Sequence, residues 1–189
     1  MKFQVINIAI VDDHTLFRQG MVKLLKESET INILFEAENG LEMINEITKK
    51  GAPDVILMDI TMPKMDGYES SKWVKSNHPA VKIIALSMFD EEKAILGMLR
   101  SGAGGYLVKH TKATELFHAI NEIYENHFYF NELVSLKLLQ SLQNQPTTPK
   151  HQKLTTNELK FLELCASDLT YKEIASEMNL SPFTINNYR

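Results

Sequence analysis

Cysteine is nearly missing from this 189-residue chain: Cys165 is the only one. An intrachain disulfide is therefore impossible, and a reducing compartment is the default expectation. No run of apolar residues approaches the roughly 18 that a membrane-crossing helix needs. The N-terminus, MKFQVINIAIVDD, is not a secretion signal, because its apolar run is short, broken by Asn7 and closed by two acids. Charge of one sign is not in excess either. The formal net charge is −4 and the pI about 5.9, which advertises neither a nucleic-acid nor a membrane partner. Internal repeats and low-complexity tracts are also missing. With 44% hydrophobic and 23% charged residues, the composition is that of an ordinary globular protein, expected in the cytoplasm.

What is present is alternation. Val5 to Val11, Ile31 to Phe35, Val55 to Met58, Val81 to Leu86 and Tyr106 to Val108 are short apolar runs. Near-continuous apolarity is the mark of parallel strands buried on both faces. Between them lie stretches with helical spacing: Phe17, Met21, Leu24 and Leu25; Leu41, Ile44 and Ile47; Ile95, Met98 and Leu99; Leu116, Ile120, Ile123 and Tyr124. Five strands alternating with helical stretches predict an α/β fold, a flavodoxin-like doubly wound five-stranded parallel sheet in the order 2-1-3-4-5. This first domain is expected over residues 1–127. Residues 128–152 read as a linker that includes a helix, with Leu133, Leu136, Leu139 and Leu142 at helical spacing. The polar, proline-bearing stretch QNQPTTPKHQK then separates it from a small all-α segment, residues 153–189.

In a sheet of that order, ligands bind at the carboxyl ends of the strands near the switch point. Asp12 and Asp13 end the first strand and Asp59 the third, and these strands are neighbours, so three carboxylates converge. Such packing is unfavourable unless a carboxyl stays protonated or a cation sits among them. All-oxygen ligation in an open site suits Mg²⁺. Ser87 after the fourth strand and Lys109 after the fifth share this edge. A carboxylate nucleophile, a metal, a lysine and a hydroxyl together make a phosphoryl-transfer site. Each piece also has a plainer reading. Asp66 reads as the N-cap of the third helix, Pro63 and Gly67 as loop and turn residues, and the six histidines as surface residues without metal-ligand spacing.

Asp12-Asp13, DITMPKMDG at 59–67, Ser87 and GAGGYLVK at 102–109 together resemble the receiver domain of two-component response regulators. The resemblance covers about residues 5 to 126 and implies that Asp59 is the phospho-acceptor. It implies Mg²⁺ at Asp13, Asp59 and the Thr61 carbonyl, with Asp12 nearby, and phosphoryl contacts from Lys109 and Ser87. Tyr106 stands where the family has an aromatic that turns inward on activation as the Ser87 hydroxyl is drawn to the phosphoryl group. A sensor histidine kinase is the implied donor, and a phosphorylation-dependent homodimer an implied outcome. The protein would catalyse only its own phosphorylation and dephosphorylation and would not be a metabolic enzyme.

Residues 154–189 resemble the helix-turn-helix of the NarL/FixJ (LuxR-type) output domain. Thr155 and Glu158 form a capping box, Thr170 caps the next helix, and Ser181-Pro182 opens a third. The resemblance makes that third helix the one that reads DNA, with Thr184, Asn186, Asn187 and Arg189 on its polar face. The chain departs from the family pattern at Asn157 and Asp168 and stops at Arg189, inside this helix. From Pro146 onward, five basic residues face five acidic ones, so this chain is expected to bind DNA weakly. Two rivals stand beside a phosphorylation-controlled transcription factor. One is a stand-alone phosphorelay receiver with an inert tail. The other is a Mg²⁺-dependent phosphatase, whose common pattern wants an aspartate where Thr61 stands.

Overall fold

A computed structural model describes residues 5–88, 91–143, 160, 164 and 171–178. Five strands alternate with helices in chain order. β1 (Ile6–Val11), α1 (Thr15–Leu25), β2 (Ile31–Ala37), α2 (Gly40–Lys50) and β3 (Val55–Asp59) come first. Then follow α3 (Gly67–Asn77), β4 (Lys82–Ser87), α4 (Glu92–Arg100), β5 (Gly105–Val108) and α5 (Ala113–Asn126). The sheet is parallel throughout and runs β2-β1-β3-β4-β5, the order expected from the alternation. A further helix, α6 (Glu132–Gln143), packs on the same unit, which extends from Met1 to Leu142.

The strands alternate inward-facing residues between two cores. Ile8, Ile10, Val55, Leu57 and Ile84 face α1 and α5, where Met21, Leu25, Leu116, Ile120 and Ile123 close over them. Ala9, Val11, Ile56, Met58 and Ile83 face the other way, under Met43, Ile47, Val74, Ile95 and Met98 of α2, α3 and α4. Burial of each large side chain contributes about 1.5–3 kcal/mol, so the doubly covered sheet is the main source of stability.

Two helices depart in part from the faces the spacing suggests. In α2, Ile44 and Ile47 pack on the core as expected, but Leu41 is 49% exposed and Met43 is buried as well. The phase is set at the helix start. The Asn39 side chain caps the Glu42 N–H at 3.1 Å, and Gly40 lies so close to α3 that a Cβ there would stand 2.0 Å from Ser70 Oγ. Among the described side chains of α6, Val134 is buried and Leu138, one helical turn on, is partly buried, whereas Leu136 and Leu139 are 51% and 56% exposed. A three-residue repeat drifts around a helix of 3.6 residues per turn, but a four-residue step nearly keeps its face. Asn131 fixes the choice by capping Val134 N–H at 3.0 Å while its amide donates to Glu115 of α5.

The second unit, Gln143–Arg189, contains α7 (Tyr171–Glu177) among its described residues. Ile174 and Ala175 are buried there, with Leu164 and Met178 against them, as the apolar spacing suggests. The expected caps at Thr155, Thr170 and Ser181 lie outside the described residues.

Candidate functional site

β1, β3, β4 and β5 end side by side, and their last residues are the ones that can do chemistry. Asp12 follows β1 and is fully buried. Its Oδ1 accepts the His14 N–H at 2.9 Å, a turn that opens α1. Asp59 ends β3, also buried, with Oδ1 accepting the Ile60 N–H at 2.8 Å. Lys109 follows β5, and its N–H donates to the Ser87 carbonyl at 2.6 Å, which fixes the two residues beside each other. The lysine side chain is buried. Its Nζ stands 2.9 Å from Asp12 Oδ2 and 2.9 Å from Asp59 Oδ2, so one cation bridges two strands' carboxylates. The Phe17 ring lies 5.0 Å from the same nitrogen and walls it from water.

Burial pushes the Asp59 carboxyl above the ordinary aspartate range, and the Asp12 charge adds to the rise; the Lys109 ammonium and the Ile60 N–H oppose it. An acid so placed is short of compensating positive charge. Geometry says the same. Asp12 Oδ2 and Asp59 Oδ2 are buried and share the single Lys109 ammonium, and buried Asp13 Oδ1 receives no hydrogen bond. With His14, the three acids each turn one ligand atom inward, all within 4.8 Å of one another. Oxygen-rich and partly open through Asp13, this donor set fits a hard divalent cation.

The structure therefore brings together Asp12, Asp13, Asp59 and Lys109. Thr61 is exposed on the loop two residues past Asp59. Ser87 is buried at the end of β4, whose register sets Leu86 opposite Asp59. Tyr106 is buried, 1% exposed, in the same core as Ile95 and Met98 of α4. Thr184, Asn186, Asn187 and Arg189 lie outside the described residues.

Two residues of the site were not singled out by sequence reasoning, and a third, Gly67, was read only as a turn residue. His14 directs Nδ1 at Asp13 Oδ1, 3.1 Å away, although most of the residue is exposed. Arg18 is buried. Its guanidinium donates to the Asp12 carbonyl and to Glu38 Oε1 at 3.0 Å, with Glu36 at 3.4 Å, and so ties the end of β1 to the end of β2. The signal was an arginine one turn before Met21 on a buried stripe, with two glutamates waiting after β2. Gly67 is more than a turn residue. A Cβ on it would meet the Asp59 carbonyl oxygen at 2.2 Å, so only glycine lets α3 begin directly above Asp59. Asp66 does cap α3 as expected, accepting Glu69 N–H at 2.9 Å.

Comparison with known proteins agrees with this geometry. Residues 8–121 match the response regulator receiver domain, and residues 152–189 match the bacterial regulatory proteins of the luxR family. The response regulator UvrY of Escherichia coli (strain K12) is 30% identical over 185 residues, covering 97% of this chain and 84% of UvrY. The transcriptional regulatory protein DegU of Brevibacillus brevis is 29% identical over 199 residues, with 97% and 84% covered. Among solved structures, the RcsB response regulator of Salmonella typhimurium superposes with a TM-score of 0.65 at 27% identity, covering 98% of this chain and 89% of RcsB. Fold and family thus define a signalling regulator and not a metabolic enzyme. The chain belongs to the response regulators, with a receiver domain followed by a luxR-type regulatory domain.

Proposed function

We propose that Asp59 accepts a phosphoryl group from the histidine of a sensor kinase and that this event controls DNA binding by the luxR-type segment. The observation that carries the reading is Lys109, whose one ammonium stands 2.9 Å from buried oxygens of both Asp12 and Asp59, with Asp13 beside them. A carboxylate oxygen of Asp59 attacks phosphorus, the bond from phosphorus to the donor nitrogen breaks, and the imidazole leaves. Lys109 is placed to neutralise the incoming oxygens, and the Ser87 hydroxyl to donate to one of them. Asp12, Asp13 and Asp59, with the Thr61 carbonyl, would hold Mg²⁺, which supplies charge neutralisation on the transferred group. The donor would approach over exposed Leu16, where an apolar cleft of about 350 Å³ between α1 and α5 opens beside Lys109.

Because the Tyr106 ring is already buried, the phosphoryl contact from Ser87 would hold an inward ring in place and so bias the α4 surface. RcsB has been solved as dimers bound to DNA, which supports a second copy of the chain and DNA as partners here; that phosphorylation drives the pairing is part of the proposal. No described helix is long and apolar enough to cross a membrane, and a cytoplasmic regulator fits that observation.

Incubating the chain with acetyl phosphate and Mg²⁺ tests the reading. The wild type should take up one phosphoryl group and Asp59→Asn none. Equal labelling of the two would overturn it.

A further inference from the structure

His14 faces the acids with its ring nitrogen, not with its exposed edge. Nδ1 lies 3.1 Å from Asp13 Oδ1, 3.4 Å from Asp12 Oδ1 and 3.8 Å from Asp59 Oδ2. An ordinary surface ion pair engages one carboxylate; this nitrogen is equidistant, within less than an ångström, from three. Ligands around an ion with bonds of about 2.1 Å stand on the order of 3 Å apart when adjacent and about 4.2 Å when opposite. All three separations fall in that interval. Lys109 occupies the opposite side of the same acids, pairing with Asp12 through Oδ2 while Oδ1 is turned toward His14. The ring's backbone is anchored at both ends, since His14 N–H donates to Asp12 Oδ1 and the His14 carbonyl accepts Arg18 N–H at 3.0 Å. The opposing Asp59 Oδ2 is buried and shares the one Lys109 ammonium, 2.9 Å away, with Asp12.

We propose that His14 is a further ligand of this pocket, a nitrogen one through Nδ1, and gives it a preference for first-row transition ions such as Co²⁺ over Mg²⁺. The inference rests on reading the acids as a cation site and adds the identity of the cation it prefers. Imidazole nitrogen is a strong donor to Co²⁺, Ni²⁺ and Zn²⁺ and a poor one to Mg²⁺, which keeps oxygen and water ligands. A site with three carboxylates binds both; the nitrogen separates them.

The test is an equilibrium titration of the full chain with Co²⁺ alone, followed by its visible absorption, and with Mg²⁺ alone, followed by displacement of Co²⁺. No phosphoryl donor is present. His14→Ala should weaken Co²⁺ binding by about tenfold or more and leave Mg²⁺ binding within about twofold, as loss of a direct ligand costs at least what loss of its outer support does. The residue is exposed, so folding of the variant is not in question; circular dichroism checks it. Pulsed electron paramagnetic resonance of Mn²⁺ in the same pocket should show coupling to ¹⁴N that disappears in His14→Ala. If both ions bind, Asp59→Asn abolishes both and His14→Ala leaves their ratio and the nitrogen coupling unchanged, the nitrogen ligand is wrong and the cation site stands. If neither ion binds, or Asp59→Asn leaves binding intact, the cation site itself is wrong and the inference falls with it.

Discussion

Lys109 holds two buried carboxylates that would otherwise face each other, and its removal shows what that costs. Breaking one partner out of a buried ion pair is destabilising by about 3–5 kcal/mol. Lys109→Met should therefore lower the denaturant midpoint clearly in metal-free buffer, and Mg²⁺ should restore part of the loss by neutralising the same acids. Asp59→Asn should act in the opposite direction. The folded-state pKa of Asp59 lies above its ordinary value, chiefly through burial, so its ionisation opposes folding at neutral pH. That opposition is present above the folded-state pKa and fades as pH falls through it. Metal-free Asp59→Asn should thus melt higher than wild type at pH 7, with a gain that shrinks in acid. A gain that grows on acidification would contradict the burial argument.

Helices and strands show where sequence reading reached and where it stopped. The five strands were legible because strands buried on both faces are apolar along their whole length, as Val55 to Met58 are. Asp12, Asp13, Asp59 and Lys109 were legible because strand order alone sends them to one edge. Helix faces were harder. Leu41 and Leu136 have the spacing of core residues, and the inward face is set instead by what the neighbouring elements leave room for: the approach of Gly40 to Ser70, and the Asn131 bridge to Glu115. The packing role of Gly67 and the part played by Arg18 were hidden for the same reason, since a close approach and a tie between two strand ends exist only in three dimensions. The α6 assignment is open to a direct check. Val134→Ala should cost about 1–3 kcal/mol, as a buried truncation does, while Leu136→Ala should stay within about 0.5 kcal/mol, as surface changes do. Equal losses would mean that the leucine stripe is buried after all.

At the scale of the molecule, the chain divides into two compact units, and every residue of the acidic site lies in the first. Ligands that bind only the folded pocket stabilise that unit by mass action, by about 2.7 kcal/mol at a hundredfold excess over Kd. Calorimetry with Mg²⁺ and beryllofluoride, a mimic of the phosphorylated carboxylate, should therefore move the receiver transition upward, and Asp59→Asn should abolish the movement.

The central claim is that one carboxylate, residue 59, receives the phosphoryl group. Borohydride reduces an aspartyl phosphate to homoserine and so writes the site into the covalent chain. After incubation with acetyl phosphate and Mg²⁺, reduction and peptide mass analysis should find homoserine at position 59 and aspartate intact at positions 12, 13 and 54. Homoserine at any of those three positions, with residue 59 unchanged, would contradict the account.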